Sequence, residues 1–337
     1  MLEVKDLTVS FHTYAGEVQA LRGVDFTVED GEVLAIVGES GCGKSVTVQS
    51  VMQLHKPDTV DYKAGEILYN GENLLQYTEK QMQQIRGKEI SMIFQDVMTS
   101  LNPTMTVGKQ ITEILKIHGQ TDVGENKRQA IELLRAVGIA NPEKRFDQYP
   151  HEFSGGMRQR VMIAIASACN PKILIADEPT TALDVTVQAQ ILDLMKALQK
   201  ERNMSIIFIT HNLGVVANIA QKVAVMYGGI IVENGTVFDI FYRSRHPYTW
   251  GLMNSTFRLE QDKKEALHPI EGTPPDLLNP PKGCPFASRC EYAMRVCTEQ
   301  LPEQTRLGTF HQCRCHLLDP DCPVDIERVR EHEQKFS

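Results

Sequence analysis

The chain has 337 residues, 42% of them apolar and 23% charged, with 35 Lys and Arg against 43 Asp and Glu for a net charge of -8. This is the composition of a globular protein with room for roughly two domains. Its acidity excludes a surface that grips nucleic acid or anionic lipid by broad electrostatics. The opening MLEVKDLTVSFHTYAGE lacks a basic stretch followed by an apolar one, and no run approaches the roughly 18 to 20 apolar residues of a membrane span. The expectation is a soluble, cytoplasmic chain that is free to dock on a membrane protein.

The alternating stretches LEVKDLTVSF and GVDFTVEDGE predict antiparallel strands, and VLAIVGESGCGKSVTVQSVM predicts a short buried strand, a Gly-rich turn and a helix. GEILYNGENLL reads as a second hairpin and EISMIFQ as a buried strand. From about 97 to 169 apolar residues recur at helical steps, as in TVGKQITEILKIHG and KRQAIELLRAVGI, which predicts a helical insertion in an α/β core. The core resumes with KILIAD, then a helix with Val187, Ile191, Leu194, Met195 and Leu198 on one face, then strands in MSIIFITH and KVAVMYGGIIVENG. After about 243 the composition shifts, and the Pro-rich TPPDLLNPPKGCP leads into a segment holding six of the eight cysteines. No internal repeat is evident, so the chain carries one such α/β unit.

GESGCGKS, Gly38 to Ser45, fits the phosphate-loop pattern at every fixed position and lies between a strand and a helix. Backbone N–H groups over Gly38, Ser40, Gly41, Cys42, Gly43, Lys44, Ser45 and Val46 can converge on phosphate oxygens at a helix N-terminus. Lys44 neutralises the phosphates and Ser45 offers its hydroxyl to Mg²⁺, while Cys42 is a small turn residue with no catalytic role. In ILIADE, Asp177 can hold the Mg²⁺ water shell and Glu178 is placed to polarise an attacking water. FSGGMRQR adds Ser154, Gly155 and Gly156 as a second anion-binding helix start, of use to an ATPase that closes as a head-to-tail dimer. Cys169 reads as core.

With these motifs in this order, residues 1–243 resemble the ATP-binding cassette of ABC transporters. The resemblance implies ATP as ligand, Gln95 as the Q-loop contact to Mg²⁺ and water, and Asp184 as the residue of a loop that crosses the dimer. It also implies His211 as the switch that contacts the γ-phosphate, and Phe11 as the ring stacked on adenine, with Tyr14 as the alternative. The implied fold is a P-loop ABC ATPase core, α/β, with an antiparallel β subdomain and a helical subdomain, followed by a small cysteine-rich C-terminal domain over 244–337. Both half-sites look chemically intact, so hydrolysis is expected and not a degenerate regulatory cassette.

FQDVMTSLNPTMTVG, ADEPTTALDVTVQAQIL, HPYTWGLMNS and IEGTPPDLLNPPKGCPFASRC together resemble the ATPase subunits of oligopeptide and dipeptide importers, with Val97 and Asn212 as departures from that family's usual Pro and Asp. This resemblance implies a 4Fe-4S cluster on Cys284, Cys290, Cys297 and Cys315; it gives Cys313 no counterpart, and Cys322 lies beyond the motif. Four thiolates also suit tetrahedral zinc, although gaps of five and six residues fit its usual spacing poorly, and free thiols are the third reading. The implied partners are a second ATPase subunit, two membrane-spanning permease subunits and, through them, an extracytoplasmic binding protein, at the cytoplasmic face of the membrane and without nucleic acid. An importer for nickel complexes or another solute is the nearest alternative. A soluble non-transport cassette and a non-enzymatic iron–sulfur sensor stand further off.

Overall fold

In the computed structural model residues 1–96, 100–181, 183–255 and 270–326 are described, so Val97 and parts of the expected helical and C-terminal regions lie outside the described residues. The chain forms two compact units. One comprises residues 1–27, 34–75 and 210–337; the other comprises 28–33 and 76–209.

The strands, in chain order, are β1 (Leu2–Thr13), β2 (Gly16–Val28), β3 (Val33–Val37), β4 (Val60–Tyr69), β5 (Glu72–Asn73), β6 (Ile90–Ile93), β7 (Ile173–Asp177), β8 (Ser205–Thr210), β9 (Lys222–Tyr227), β10 (Ile230–Thr236), β11 (Thr305–Arg306) and β12 (Gln312–Cys313). In the first unit β2, β1, β4 and β5 form a sheet in that order, with β1 antiparallel to β4 from Leu2 opposite Tyr69 to Phe11 opposite Val60. The alternation of LEVKDLTVSF is realised there: Leu2, Val4, Leu7 and Val9 are buried. A second set of strands in this unit begins with β3, whose five residues are all buried, as a strand covered on both faces requires. β3 runs parallel to β9, β9 pairs with β10, β10 with β12 and β12 with β11, the last three pairings antiparallel. Strands from the C-terminal segment thus extend the cassette's own sheet through Glu233 opposite Cys313. Beneath them Val37, Val216, Val225, Tyr227, Ile240, Tyr248 and Phe286 share one apolar cluster, each large side chain contributing about 1.5–3 kcal/mol by leaving water.

In the second unit β6, β7 and β8 are parallel and buried. The expected helices are present. Val107–Ile117 buries Val107, Ile111 and Leu115 at four-residue steps, and Val123–Ala136 starts where the Asp122 side chain accepts from Glu125 N at 2.9 Å. Val185–Arg202 buries Ile191, Leu192, Met195 and Leu198 and stops at Asn203 in the left-handed region. Two expectations change. A helix over Glu79–Ile85, closed by a capping box between Thr78 and Gln81, adds to the pattern. Cys169, expected as core, lies half-buried in a turn beyond the helix Gly155–Ala166.

Candidate functional site

Each unit carries its own share of the site residues. In the first, the chain leaves β3 at Val37 and passes through Gly38, Gly41 and Gly43, all at positive φ, into the helix Lys44–Val51. Gly38 admits no other residue: a Cβ there would lie 2.2 Å from the Met226 carbonyl oxygen. The helix has no side-chain cap and no acidic residue in its first turn, so no side chain of the helix itself neutralises its positive end. Lys44, 5% exposed, donates from Nζ to the carbonyls of Gly38 at 2.8 Å and Glu39 at 2.9 Å. This buried cation arches over a loop of convergent N–H groups, an arrangement suited to phosphate. Ser40 and Gly41 are exposed at the crest, Ser45 and Val46 are half-buried in the first helical turn, and Cys42 is buried, its thiol pushed up by burial.

His211 follows β8 directly and is exposed; Asn212 next to it caps the helix Leu213–Ile219 by accepting from Gly214 N at 3.0 Å. Phe11 is half-buried with its ring edge-on to His55 at 5.0 Å, whereas Tyr14 is fully exposed.

In the second unit β7 ends on Asp177, which is buried, and Glu178 takes up a φ of 47°, an uncommon left-handed setting for a carboxylate residue. Its backbone N–H donates to Ile209 O at 3.0 Å. Its Oε2 accepts from Gln95 Nε2 and from Thr181 Oγ1, each at 3.0 Å. The structure therefore unites Gln95 with Glu178, as the chemistry asks, and adds Thr181. That residue went unread because a hydroxyl three positions after an acidic pair is unremarkable in sequence.

Ser154 caps the helix Gly155–Ala166, accepting from Met157 N at 3.4 Å. Gly156 sits against Val187, where a Cβ would approach to 2.8 Å, while Gly155 faces open space. Asp184 caps the helix Val185–Arg202, its Oδ1 accepting from Val187 N at 2.9 Å.

A family profile described as ABC transporter matches residues 21–181, and one described as the oligopeptide/dipeptide transporter C-terminal region matches residues 232–297. The chain is 62% identical to the oligopeptide transport ATP-binding protein OppD of Bacillus subtilis (strain 168), over 96% of this chain and 90% of that one. This chain belongs to the ABC transporter ATP-binding family. It is also 54% identical to the dipeptide transport ATP-binding protein DppD of the same organism, over 95% of each chain. Among solved structures it is similar to the post-hydrolysis dimer of the ATP-binding cassette MJ0796 bound to ADP and Pi, at 27% identity and a TM-score of 0.63 over 70% of this chain and 99% of that one. The chain is thus an ABC ATPase, and the cassette fold expected from its motifs is the fold it has.

The metal reading of the cysteines is overturned. Among the described residues no group of three or more His, Cys, Asp or Glu side chains is placed to hold a metal ion. Cys284, Cys290 and Cys297 pack into one apolar cluster, and Cys313, Cys315 and Cys322 into another. Burial pushes the Cys284 thiol up to about 11 and that of Cys290 up to about 12. Cys315 is raised by burial first and then by Cys284, Cys290 and Cys297. The 4Fe-4S cluster and zinc are therefore both without support, and all eight cysteines are free of disulfides. The six cysteines of the tail pack as small apolar residues of its core.

Proposed function

We propose that this ABC ATPase energises the import of di- and oligopeptides, working with membrane permease subunits from the cytoplasmic face of the membrane. No helix among the described residues is long and apolar enough to cross a membrane, so translocation requires spanning partners. The observation that carries the catalytic reading is the Glu178 carboxylate, held by Gln95 and Thr181 on a left-handed residue at the end of a buried strand. Likeness to oligopeptide and dipeptide transport proteins over nearly the whole chain supports peptides as cargo.

In this reading the loop from Gly38 to Val46 binds the phosphates of ATP, Lys44 neutralises them, and Phe11 stacks on the adenine. The Ser45 hydroxyl, the Gln95 amide oxygen and the Asp177 carboxylate are hard oxygen donors suited to Mg²⁺, which when bound neutralises phosphate charge. Glu178 takes the proton from the attacking water, and His211 contacts the γ-phosphate. Ser154, Gly155, Gly156 and Asp184 serve a second ATPase subunit, a related but different chain. An extracytoplasmic binding protein delivers the peptide, and the functional division of this chain falls near residue 243.

The test is peptide-dependent ATP hydrolysis by the chain assembled in vesicles with its permease subunits, the partner ATPase subunit and the binding protein, compared with Lys44→Ala. Hydrolysis stimulated by short peptides and lost in the variant supports the proposal. Stimulation by a nickel complex and not by peptides overturns the cargo, and hydrolysis at the parent rate in Lys44→Ala overturns the site.

A further inference from the structure

The C-terminal segment holds the phosphate loop directly. Arg289 donates from Nη1 to Glu39 Oε2 at 2.5 Å and from Nη2 to Glu39 Oε1 at 3.0 Å, a bidentate pair across 250 residues of sequence. The guanidinium is itself aimed by the Tyr227 hydroxyl at 3.0 Å and by the carbonyls of Ile270 at 3.0 Å and Glu271 at 2.8 Å. Its side chain is 4% exposed against 28% for Glu39, so the pair is largely withdrawn from water and its geometry counts.

Two further links run the same way. Glu39 N–H donates to the Tyr248 hydroxyl at 2.8 Å, and Tyr248 is wholly buried against Tyr227, ring centroids 4.4 Å apart. Gly229 N–H donates to Cys42 O at 3.1 Å, while Gly228 beside it lies so near Pro285 that a Cβ would come within 2.6 Å of the proline ring. The loop is therefore gripped at its second residue by Arg289 and Tyr248 of the tail, and at its fifth by the β9–β10 turn, against which Pro285 of the tail packs.

An ion pair that served only to attach the tail would be as useful on any surface of the cassette. This one falls on the residue between Gly38 and Ser40, and Lys44 Nζ bonds the carbonyl of that same residue. Displacing Glu39 moves both the N–H groups offered to phosphate and the cation above them.

We propose that Arg289 and Tyr248 are positioning residues for ATP, through which the docked C-terminal segment sets the shape of the phosphate loop and hence the affinity for nucleotide. The proposal rests on the reading of residues 38–46 as the ATP site.

The experiment is equilibrium ATP binding to the full chain, with KM and kcat measured in the assembled transporter, for Arg289→Ala, Glu39→Gln, their double variant, Tyr248→Phe and Lys44→Ala. Tyr248→Phe keeps the buried ring and removes only the acceptor for Glu39 N–H, so it separates positioning from loss of packing. The expected result is a loss of ATP affinity of about five- to twentyfold in Arg289→Ala and a smaller loss in Tyr248→Phe, each read as a raised KM with kcat changed less. The double variant is expected to bind no worse than Arg289→Ala alone, since its two changes break one contact. If Arg289→Ala and Tyr248→Phe bind ATP within about twofold of the parent while Lys44→Ala has lost it, the positioning role is overturned and the loop assignment stands. If Lys44→Ala binds as the parent does, the loop assignment falls and the proposal with it.

Discussion

Gln95 donates from Nε2 to Glu178 Oε2 at 3.0 Å, and the Thr181 hydroxyl donates to the same oxygen at 3.0 Å. Two donors on one oxygen fix the carboxylate's direction. A general base must be aimed before it is strong. Glu178→Gln is expected to keep ATP binding and to lower turnover about 10²- to 10⁴-fold, read by nucleotide binding beside steady-state hydrolysis. Gln95→Ala and Thr181→Val remove one donor each, and about a tenfold fall in kcat is expected of each. Turnover at the parent rate in Glu178→Gln would show that another group takes the proton.

Gly38→Ala tests the loop from the backbone side. The added methyl meets the Met226 carbonyl at 2.2 Å on a residue whose φ is 154°. Relief requires the loop to move away from β9, so ATP binding is expected to be lost together with about 1–3 kcal/mol of stability. Gly155→Ala is the control, because nothing lies within 4 Å of the added atom; its denaturation midpoint should match the parent's. A Gly38→Ala protein that binds ATP normally would rule out the tight packing argued for the loop.

The readable parts of this sequence are those where backbone geometry demands a residue type. Gly38, Gly41 and Gly43 must be glycines to hold positive φ, so the loop is written in the chain itself. Strands β3, β7 and β8 are legible as apolar runs because they are buried on both faces. The start of β4 was not read, since Val60–Ala64 is half-exposed and polar and is held by its register on β1. The helix Glu79–Ile85 was missed although its capping box, Thr78 and Gln81, stands in the sequence. β11 and β12 are two residues each and carry no period. Arg289 and Glu39 meet across the fold, and no local pattern announces such a pair. The cysteines misled for a related reason: spacing suggested ligands, and only burial shows thiols packed as core.

Glu233 and His311 join the tail to the cassette sheet. Glu233, with a side chain fully withdrawn from water, accepts from Arg245 N at 2.6 Å and His246 N at 3.2 Å, and lies 2.9 Å from His311 Nε2. His311→Ala leaves that buried carboxylate short of a partner and opens a gap beside β12. A loss of about 3 kcal/mol in denaturant unfolding is expected, on the scale of other broken buried pairs. A loss under about 0.5 kcal/mol, ordinary for a surface site, would mean that the pair does not hold the tail.

His246 gives the chain an acid-sensitive helix cap. It is 1% exposed, caps the helix Pro247–Asn254 by accepting from Tyr248 N at Nδ1 across 3.1 Å, and burial lowers its pKa from 6.5 to about 3. Accepting at Nδ1 requires that atom to be unprotonated, so the cap and the neutral ring are one condition. Between pH 6.5 and about 3 the unfolded chain binds a proton that the folded chain refuses, and stability falls as pH falls through that window. The slope from this one group approaches about 1.4 kcal/mol per pH unit. His246→Asn keeps a side-chain acceptor at the cap and cannot titrate. Unfolding free energies of the two proteins from pH 7 to 4.5 should therefore diverge, the parent losing stability faster on acidification. Parallel curves would show that His246 is protonated in the folded chain, and the buried neutral cap would have to be abandoned.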